Sequence, residues 1–249
     1  MRLRCRQPRL GGKKVYFIIG VELKKIKVSR DKLFDILRSK GLLVEPKRKY
    51  AITTNSNHQL RLHPDLIKGV RPVKPEQICV ADITFLRLKE GFCYLHLVTD
   101  AYSKKIMGYE LSLSLKTEYT MRALAMAIEQ RQTRRKMIHH SDRGGQYCND
   151  KYVGTLTKNR IRVSMTQDGN PYDNAVAERV NGILKSEFAL DATFSNLIEA
   201  RKAVVEAIYI YNHERPHMSC SMLTPVQMHN QSTLEVKAWP KKISKKIFN

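Results

Sequence analysis

Three acidic residues, Asp168, Asp173 and Glu178, lie within eleven positions in the stretch TQDGNPYDNAVAERV. Asp168 stands among turn-forming residues, and Asp173 stands at the start of a predicted helix, where an N-cap is the natural role. Helical stepping of about 100° per residue predicts a polar stripe that faces solvent, made of Asn174, Glu178, Asn181 and Lys185. We therefore expect a turn role for Asp168, a cap role for Asp173 and a chemical role for Glu178. A solvated surface glutamate is the alternative for Glu178.

Two further acids lie at positions where the surrounding residues predict strands. Asp82 sits inside the apolar run ICVADITFL, where an aspartate is costly to bury unless a metal ion or a hydrogen-bond network compensates its charge. Asp142 ends the run MIHHSD and directly precedes a Gly-Gly turn. Catalytic groups are often presented at such strand ends, although a turn-capping aspartate would look the same.

Together these acids predict a site for phosphoryl transfer. Two aspartates from strands and one glutamate from a helix can converge on a hard divalent cation, which prefers oxygen ligands. Two such ions about 4 Å apart would activate the attacking oxygen and stabilise the leaving one. The five cysteines are scattered without a CxxC pair, so neither a zinc cluster nor a disulfide framework is expected.

The charge of the chain indicates a polyanionic partner. Forty-five Lys and Arg residues against 23 Asp and Glu residues give a net charge of +22 over 249 residues. Residues 1–50 alone carry sixteen basic and four acidic side chains, and the last thirteen residues add five lysines. Basic side chains that neutralise phosphates release counterions, so a nucleic acid is the expected ligand, and a basic protein with solvated surfaces is the alternative. No membrane partner is expected. No run reaches the ~18 apolar residues that a membrane helix needs.

Alternating and helical patterns predict one mixed α/β domain behind a small basic segment. Three strands are predicted first, in residues 78–88, 92–101 and 105–113, then a helix, a strand, a helix and a strand in residues 116–132, 137–142, 149–159 and 161–166. Two helices are predicted to follow, in residues 173–190 and 195–211. Such an order is typical of a central mixed sheet with flanking helices.

The first fifty residues are predicted to form two small helices. Ser29 is placed as the N-cap of the second, with Leu33, Ile36 and Leu37 on one face and Gly41 at its end. We expect a helix-turn-helix-like DNA-binding segment in residues 1–50, with an ordinary basic helical hairpin as the alternative. A linker in 51–77, a catalytic core in 78–230 and a basic tail in 231–249 complete the predicted organisation.

Several motifs in fixed order resemble one family. Asp82, Asp142 and Glu178, with thirty-five residues between the last two, look like the D, D-35-E signature of retroviral-integrase-like transposases. The strings ADITFL, HSDRGGQY, GNPYDNAVAERVNGILKSEF and YNHERPH are similar to bacterial insertion-sequence transposases encoded in two overlapping reading frames, of the orfB type. The likeness runs from about Gln7 to Gln227. Two positions depart from it: Cys79 where tryptophan is common, and Cys220 where an aliphatic residue is usual.

The resemblance implies an RNase H-like catalytic core with two Mg²⁺ or Mn²⁺ ions, which are bound by Asp82, Asp142 and Glu178. It implies metal-dependent cleavage and strand transfer at insertion-sequence ends, leading to transposition and DNA integration. The DNA-contacting residues that we predict are Lys185, Asn174, Arg143, Arg30, Lys32 and Arg38.

The same resemblance implies binding partners for the chain, and alternative functions remain beside it. We expect end and target DNA as ligands, a homo-oligomer on DNA, and the upstream-frame product as a fusion or partner. The expected location is the bacterial cytoplasm, on the nucleoid. A catalytically inactive DNA-binding remnant or a regulator of transposition is the alternative, and an RNase H-type ribonuclease fits the metal chemistry alone. A kinase reading of HSD lacks an upstream glycine-rich loop.

Overall fold

A computed structural model describes residues 2–44, 61–167, 174–231 and 233–234. Asp168, Asp173, most of the predicted basic tail and the predicted linker up to residue 60 lie outside these ranges, so the roles predicted for them stay predictions. No helix among the described residues is long and apolar enough to cross a membrane.

Four short helices form the amino-terminal segment, in residues 2–44, where the sequence predicts two. They are α1 (Arg2–Arg6), α2 (Gly12–Ile18), α3 (Gly20–Lys25) and α4 (Arg30–Ser39). Their small core consists of Leu10, Val15, Leu23, Leu33 and Leu37. The helices α2 and α3 are separated only at Ile19, and a continuous apolar run carries no signal for that break.

The predicted ends of α4 are confirmed. The Ser29 side chain accepts a hydrogen bond from the backbone N–H of Lys32, as an N-cap does. Gly41 follows the helix with φ of +62°, a left-handed conformation that glycine adopts without a steric penalty. On the predicted apolar face Leu33 and Leu37 are buried, whereas Ile36 remains 41% exposed.

A mixed sheet forms the centre of the following domain. Its strands are β1 (Ile78–Leu88), β2 (Phe92–Asp100), β3 (Ile106–Ser112), β4 (Met137–Ser141), β5 (Ile161–Met165) and β6 (Thr193–Phe194). The spatial order is β3-β2-β1-β4-β5, with β1 antiparallel to β2, β2 antiparallel to β3, and β4 and β5 parallel to β1. The short β6 lies beside the far end of β1.

Helices cover both faces of this sheet. The helices are α5 (Thr117–Glu129), α6 (Gly145–Cys148), α7 (Asp150–Lys158), α8 (Ala175–Glu187), α9 (Leu197–His213) and α10 (Pro225–His229). Residues of α5, α6 and α7 share one apolar cluster, and residues of α8 and α9 share another on the opposite face. The predicted strands and helices of this domain are confirmed, with α9 shifted two residues toward the carboxyl end. The short elements α6, β6 and α10 were not predicted.

Alternation along β1 determines which face each side chain reaches. Cys79 and Ala81 belong to the cluster on the α5 face, and Leu86 belongs to the cluster on the α8 and α9 face. Because side chains alternate along a strand, Asp82 shares its face with Leu86 and points toward α8. On the other face α5 approaches β3 closely, since a Cβ at Gly108 would lie 2.0 Å from the carbonyl oxygen of Ala123.

The described part of the predicted linker packs against the domain although it forms no helix or strand. The backbone N–H of Leu66 donates to Ser164 Oγ at 2.8 Å, and the N–H of Met165 donates to the carbonyl of Pro64. Glu76 is buried, and its carboxylate accepts hydrogen bonds from the backbone N–H groups of Gln132 and Thr133. Residues 64–66 therefore lie against the edge strand β5, and Glu76 is bound by the segment between α5 and β4.

Candidate active site

Asp82 lies on the central strand β1 and is partly buried. Its Oδ1 accepts a hydrogen bond from the backbone N–H of Ile83 at 2.9 Å, and its Oδ2 accepts one from Asn181 Nδ2 at 2.7 Å. Both carboxylate oxygens are thus oriented by the protein. Asn181 belongs to α8, so this hydrogen bond ties the central strand to the helix that carries Glu178.

The parallel register of β1 and β4 brings the two aspartates together. Val80 pairs with His140, and each strand carries an aspartate two residues further along. Asp142 directly follows β4, and its Oδ1 accepts a hydrogen bond from the backbone N–H of Gly144 at 3.0 Å. The sheet topology therefore places Asp82 and Asp142 on neighbouring strands. Asp142 lies at the carboxyl end of β4, where α/β sheets present reactive groups, and Asp82 lies inside β1, two residues past its last pairing with β4.

Glu178 lies in the first turn of α8 and is exposed. Asn174 precedes it by one turn and donates through Nδ2 to the carbonyl of Ala81 at 3.1 Å, while Asn181 follows it and reaches Asp82. These contacts fix the rotation of α8 about its axis relative to β1. Glu178 is left at the exposed margin of the contact between α8 and β1, beside Asp82. It forms no hydrogen bond or ion pair with another described residue.

Part of the prediction for this helix is wrong. The polar stripe was expected to face solvent, but Asn174 and Asn181 are both only 7% exposed. The four residues do lie on one side of the helix, as predicted. Helical periodicity alone could not show that β1 supplies a carbonyl and a carboxylate as hydrogen-bond acceptors for the two buried amides. Asn181 is accordingly a site residue that the sequence analysis missed. Its position three residues after Glu178, on the same stripe, was the available signal.

Electrostatic repulsion marks the three acids as one site. The pKa of Asp82 is raised from its ordinary 3.8 to about 7, chiefly by burial and also by the negative charges of Asp142 and Glu178, while its hydrogen bonds to Ile83 and Asn181 act in the opposite direction. This repulsion is what a bound divalent cation would relieve, and an all-carboxylate donor set suits hard ions such as Mg²⁺ or Mn²⁺. The three side chains do not form a closed ligand cage, since no group of three His, Cys, Asp or Glu residues in the described ranges could hold a metal ion as placed.

Comparison with protein families and relatives identifies the chain. Two integrase core domain families match residues 72–171 and 159–225. The IS600 uncharacterized 31 kDa protein of Shigella sonnei is 37% identical over 200 residues, which cover 80% of this chain and 74% of that protein. The transposase InsF for insertion sequence IS3A of Escherichia coli (strain K12) is 34% identical over 198 residues, which cover 79% and 69%.

This chain belongs to the insertion-sequence transposases with an integrase core domain. It is a DNA transposase of the DDE polynucleotidyl transferase type. The integrase core implies use of a divalent metal ion.

Solved structures agree on the fold of the transposase. The HTLV-2 integrase catalytic core domain in complex with magnesium superimposes with a TM-score of 0.52 at 20% identity, covering 64% of this chain and 99% of that one. A chain of the simian T-cell lymphotropic virus intasome gives a TM-score of 0.56 at 20% identity and covers 94% and 81%. At such identities the likeness shows the RNase H-like fold alone.

The residues predicted to contact DNA lie in different environments in the transposase. Lys185 is on α8, half-buried, and its ammonium lies 4.4 Å from the centroid of the Phe85 ring. Arg143 donates through Nε to the carbonyl of Thr166 at 2.7 Å. Asn174 is buried against β1, so a direct DNA contact is not favoured and a role in positioning α8 fits its hydrogen bond better.

The basic residues of α4 are exposed at the surface of the amino-terminal segment. Arg30 pairs with Asp31 and Arg38 pairs with Asp35, whereas Lys32 contributes only its backbone N–H to the Ser29 cap. Exposed ion pairs of this kind contribute little to stability and exchange readily with phosphates. Nothing in their geometry distinguishes the predicted helix-turn-helix from a basic helical hairpin.

Proposed function

We propose that this transposase cleaves DNA strands at the ends of an insertion sequence and joins them to target DNA, with Asp82, Asp142 and Glu178 as its catalytic acids. The observation that carries the proposal is the parallel register of β1 and β4. It brings the two aspartates onto neighbouring strands, while the hydrogen bonds of Asn174 and Asn181 attach α8, the helix that carries Glu178, to β1.

In this proposal the three acids hold two divalent ions, Mg²⁺ or Mn²⁺. When bound, such ions activate the attacking hydroxyl or water and stabilise the leaving oxygen of the phosphodiester. The chain itself supplies orientation: Asn181 and the Ile83 N–H hold the two oxygens of Asp82, and the Gly144 N–H holds Oδ1 of Asp142. Ligands held this way need little reorganisation during the reaction.

The DNA in this proposal is bound by the basic surface of the chain. Lys185 and Arg143 flank the acids and are proposed to contact the terminal DNA, and Arg30, Lys32 and Arg38 of α4 are proposed to contact DNA farther from the cleavage site. The excess of positive charge supports binding through phosphates, with affinity that falls as salt rises.

Assembly belongs to the same proposal. Two DNA ends must be joined to one target, so we propose that the transposase acts as a homo-oligomer on DNA. The upstream-frame product is proposed as a fusion or partner that supplies end recognition, and the bacterial nucleoid is the proposed place of action.

Donor cleavage and strand transfer with Mg²⁺ test the function. We expect wild type to yield both products and Asp142→Ala to yield neither. Asp150→Asn, which removes an acid from the start of the neighbouring helix α7, serves as the control and is expected to retain activity. If wild type and Asp142→Ala give equal products, the catalytic assignment is wrong. If neither protein reacts but both bind the ends, the chain is an inactive DNA-binding regulator.

A further inference from the structure

The ammonium group of Lys185 is held in an unusual way. It is half-buried on α8 and lies over the face of the Phe85 ring, 4.4 Å from its centroid. Among the described residues it has neither a hydrogen-bond acceptor nor an ion-pair partner. Burial lowers the pKa of Lys185, and the negative charges of Asp82 and Asp191 partly offset this effect.

A second lysine near the same helix shows the usual arrangement. Lys14 is also mostly buried, and its Nζ donates to Glu187 Oε1 at 2.9 Å. That carboxylate neutralises the ammonium and occupies one of its donors. An aromatic face instead attracts the cation through its quadrupole and leaves the N–H donors available. The charge and the N–H donors of the Lys185 ammonium therefore remain available to a ligand, whereas those of Lys14 are engaged by Glu187.

The Phe85 ring also contacts the half-exposed ring of Phe92. The Phe92 ring meets Phe85 edge-on, with centroids 5.3 Å apart and an interplanar angle of 85°. Along this side of β1 the strand β4 pairs only as far as Val80, and β6 begins to pair at Arg87. The stretch between them has no paired strand on this side. By alternation Phe85 points to the face opposite Asp82, so the lysine of α8 reaches the ring past this unpaired edge of β1.

We propose that Phe85 is a positioning residue, which holds the Lys185 ammonium at the unpaired edge of β1, the strand that carries Asp82, with its donors directed to a backbone phosphate of the DNA end. This inference rests on the proposed function, because it assigns the phosphate to the DNA that the transposase cleaves. Phe85 lies within the string ADITFL, but neither that motif nor the charge pattern assigns it a role. It was found only through the contact of its ring with Lys185.

The geometry is tested first on the protein alone, by NMR. Methylene protons over a ring face are shifted upfield by the ring current, so we expect this shift for the ε-CH₂ of Lys185. It should persist in Phe85→Tyr, which keeps the ring, and disappear in Phe85→Leu. Phe92→Leu removes an aromatic ring that does not lie under the lysine and should preserve most of the shift. Absence of the shift in wild type would overturn the proposed geometry.

The function of the contact is tested by a double-mutant cycle on DNA affinity. The probe is a labelled duplex of the element's terminal repeat, with a scrambled duplex for comparison. We expect Phe85→Leu to weaken terminal-repeat binding roughly 3- to 10-fold, the range of a partly desolvated cation–π contact, and Phe85→Tyr to restore it. In a Lys185→Gln background Phe85→Leu should have no further effect. An equal loss in both backgrounds would mean that Phe85 acts only through packing.

These tests separate this inference from the proposed function. Neither the ring-current shift nor the binding cycle requires catalysis, so both remain decisive if strand transfer fails. If Lys185→Gln leaves affinity for the terminal repeat unchanged, the phosphate role of Lys185 is wrong, even if wild type cleaves and joins DNA. If the cycle shows coupling while Asp142→Ala remains active, the positioning role stands and the catalytic assignment falls.

Discussion

The two glutamates at opposite ends of α8 lie in contrasting environments. Glu178, in the first turn, is exposed and forms no ion pair or hydrogen bond with the other described residues. Glu187, at the last residue of the helix, is bound by Arg215 through two hydrogen bonds of 2.8 Å and by Lys14 at 2.9 Å. Burial alone would raise the pKa of Glu187, but these two cations lower it from 4.5 to about 2.

Along this one helix, therefore, Glu178 is available to bind a ligand, whereas Glu187 stabilises the fold. The carboxylate of Glu187 is saturated by protein groups, and through Lys14 it attaches the amino-terminal helices to the catalytic core. Arg9 and Arg6 reinforce that attachment by pairing with Asp191 and Glu214. The carboxylate of Glu178 has its lone pairs available, as a metal ligand requires, and its removal should leave the fold intact.

The largest effect is expected for Glu178→Gln. Strand transfer should fall about 10³-fold or more, because a lost carboxylate ligand removes several kcal/mol of charge stabilisation. Strand-transfer assays with Mg²⁺ measure this effect, and the unfolding midpoint in urea should stay at the wild-type value. Asp168→Asn, in the predicted turn, should largely keep activity. Substantial activity in Glu178→Gln would remove this residue from the catalytic set.

Glu187→Ala should show the reverse behaviour. It leaves Arg215 buried without its carboxylate, and breaking a buried pair in this way destabilises a protein by about 3–5 kcal/mol. Denaturant unfolding measures the loss. Well below the new midpoint, strand transfer per folded molecule should stay within a fewfold of wild type. A variant of unchanged stability would show that the Glu187 network does not hold the two parts together.

The pH dependence of the unfolding free energy should further distinguish Glu187 from Glu178. Because the pKa of Glu187 is lowered in the folded chain, its contribution is fully present above pH 4.5 and is lost as pH falls toward 2. The lowering from 4.5 to about 2 corresponds to about 3 kcal/mol. Lys14, whose pKa burial lowers to about 8, does not titrate in this window.

Unfolding free energies of wild type and Glu187→Gln, measured across this acidic range, test that prediction. The stability difference between the two should be largest near neutral pH and should shrink as the medium becomes more acidic. A constant difference would show that the carboxylate of Glu187 has an ordinary pKa. Glu178→Gln, compared in the same way, should follow the wild-type curve closely.

The smallest effect is expected for Asn181→Ala. It removes the hydrogen bond to Asp82 Oδ2, and hydrogen bonds to charged groups contribute about 1.5–3 kcal/mol, so strand transfer should fall roughly 10- to 100-fold. The matched control is Asn159→Ala, which removes an amide donor at the end of α7 away from the acids. Equal activity of the two variants would show that Asn181 does not orient the site.

Much of the fold could be predicted from local patterns. The limits of β1 in ICVADITFLRL and the cap of α4 at Ser29 follow from alternation and capping chemistry, which act over a few residues. The short elements α6 and β6 escaped prediction because few residues carry their signal. In the amino-terminal segment the break at Ile19 escaped for the same reason.

The candidate site was predictable in its acids and not in its surroundings. The acids Asp82, Asp142 and Glu178 are recognisable by residue type, spacing and motif, although their catalytic role remains a proposal. Asn181 and Phe85 were missed because each acts through one contact across elements, and no periodicity specifies such a partner. The same reason explains why the stripe containing Asn174 was predicted to face solvent.

The sequence by itself determined the secondary structure of the core, its charge and its family, because these depend on residue type and near neighbours. Only the tertiary structure decided which polar groups meet. The parallel register of β1 and β4 sets Asp82 beside Asp142, and the packing of α8 turns two asparagines inward while leaving Glu178 outside. Which glutamate of α8 is neutralised and which is available was decided by cations 28 and 173 residues away along the chain. Residues this far apart in sequence come into contact only when the chain folds.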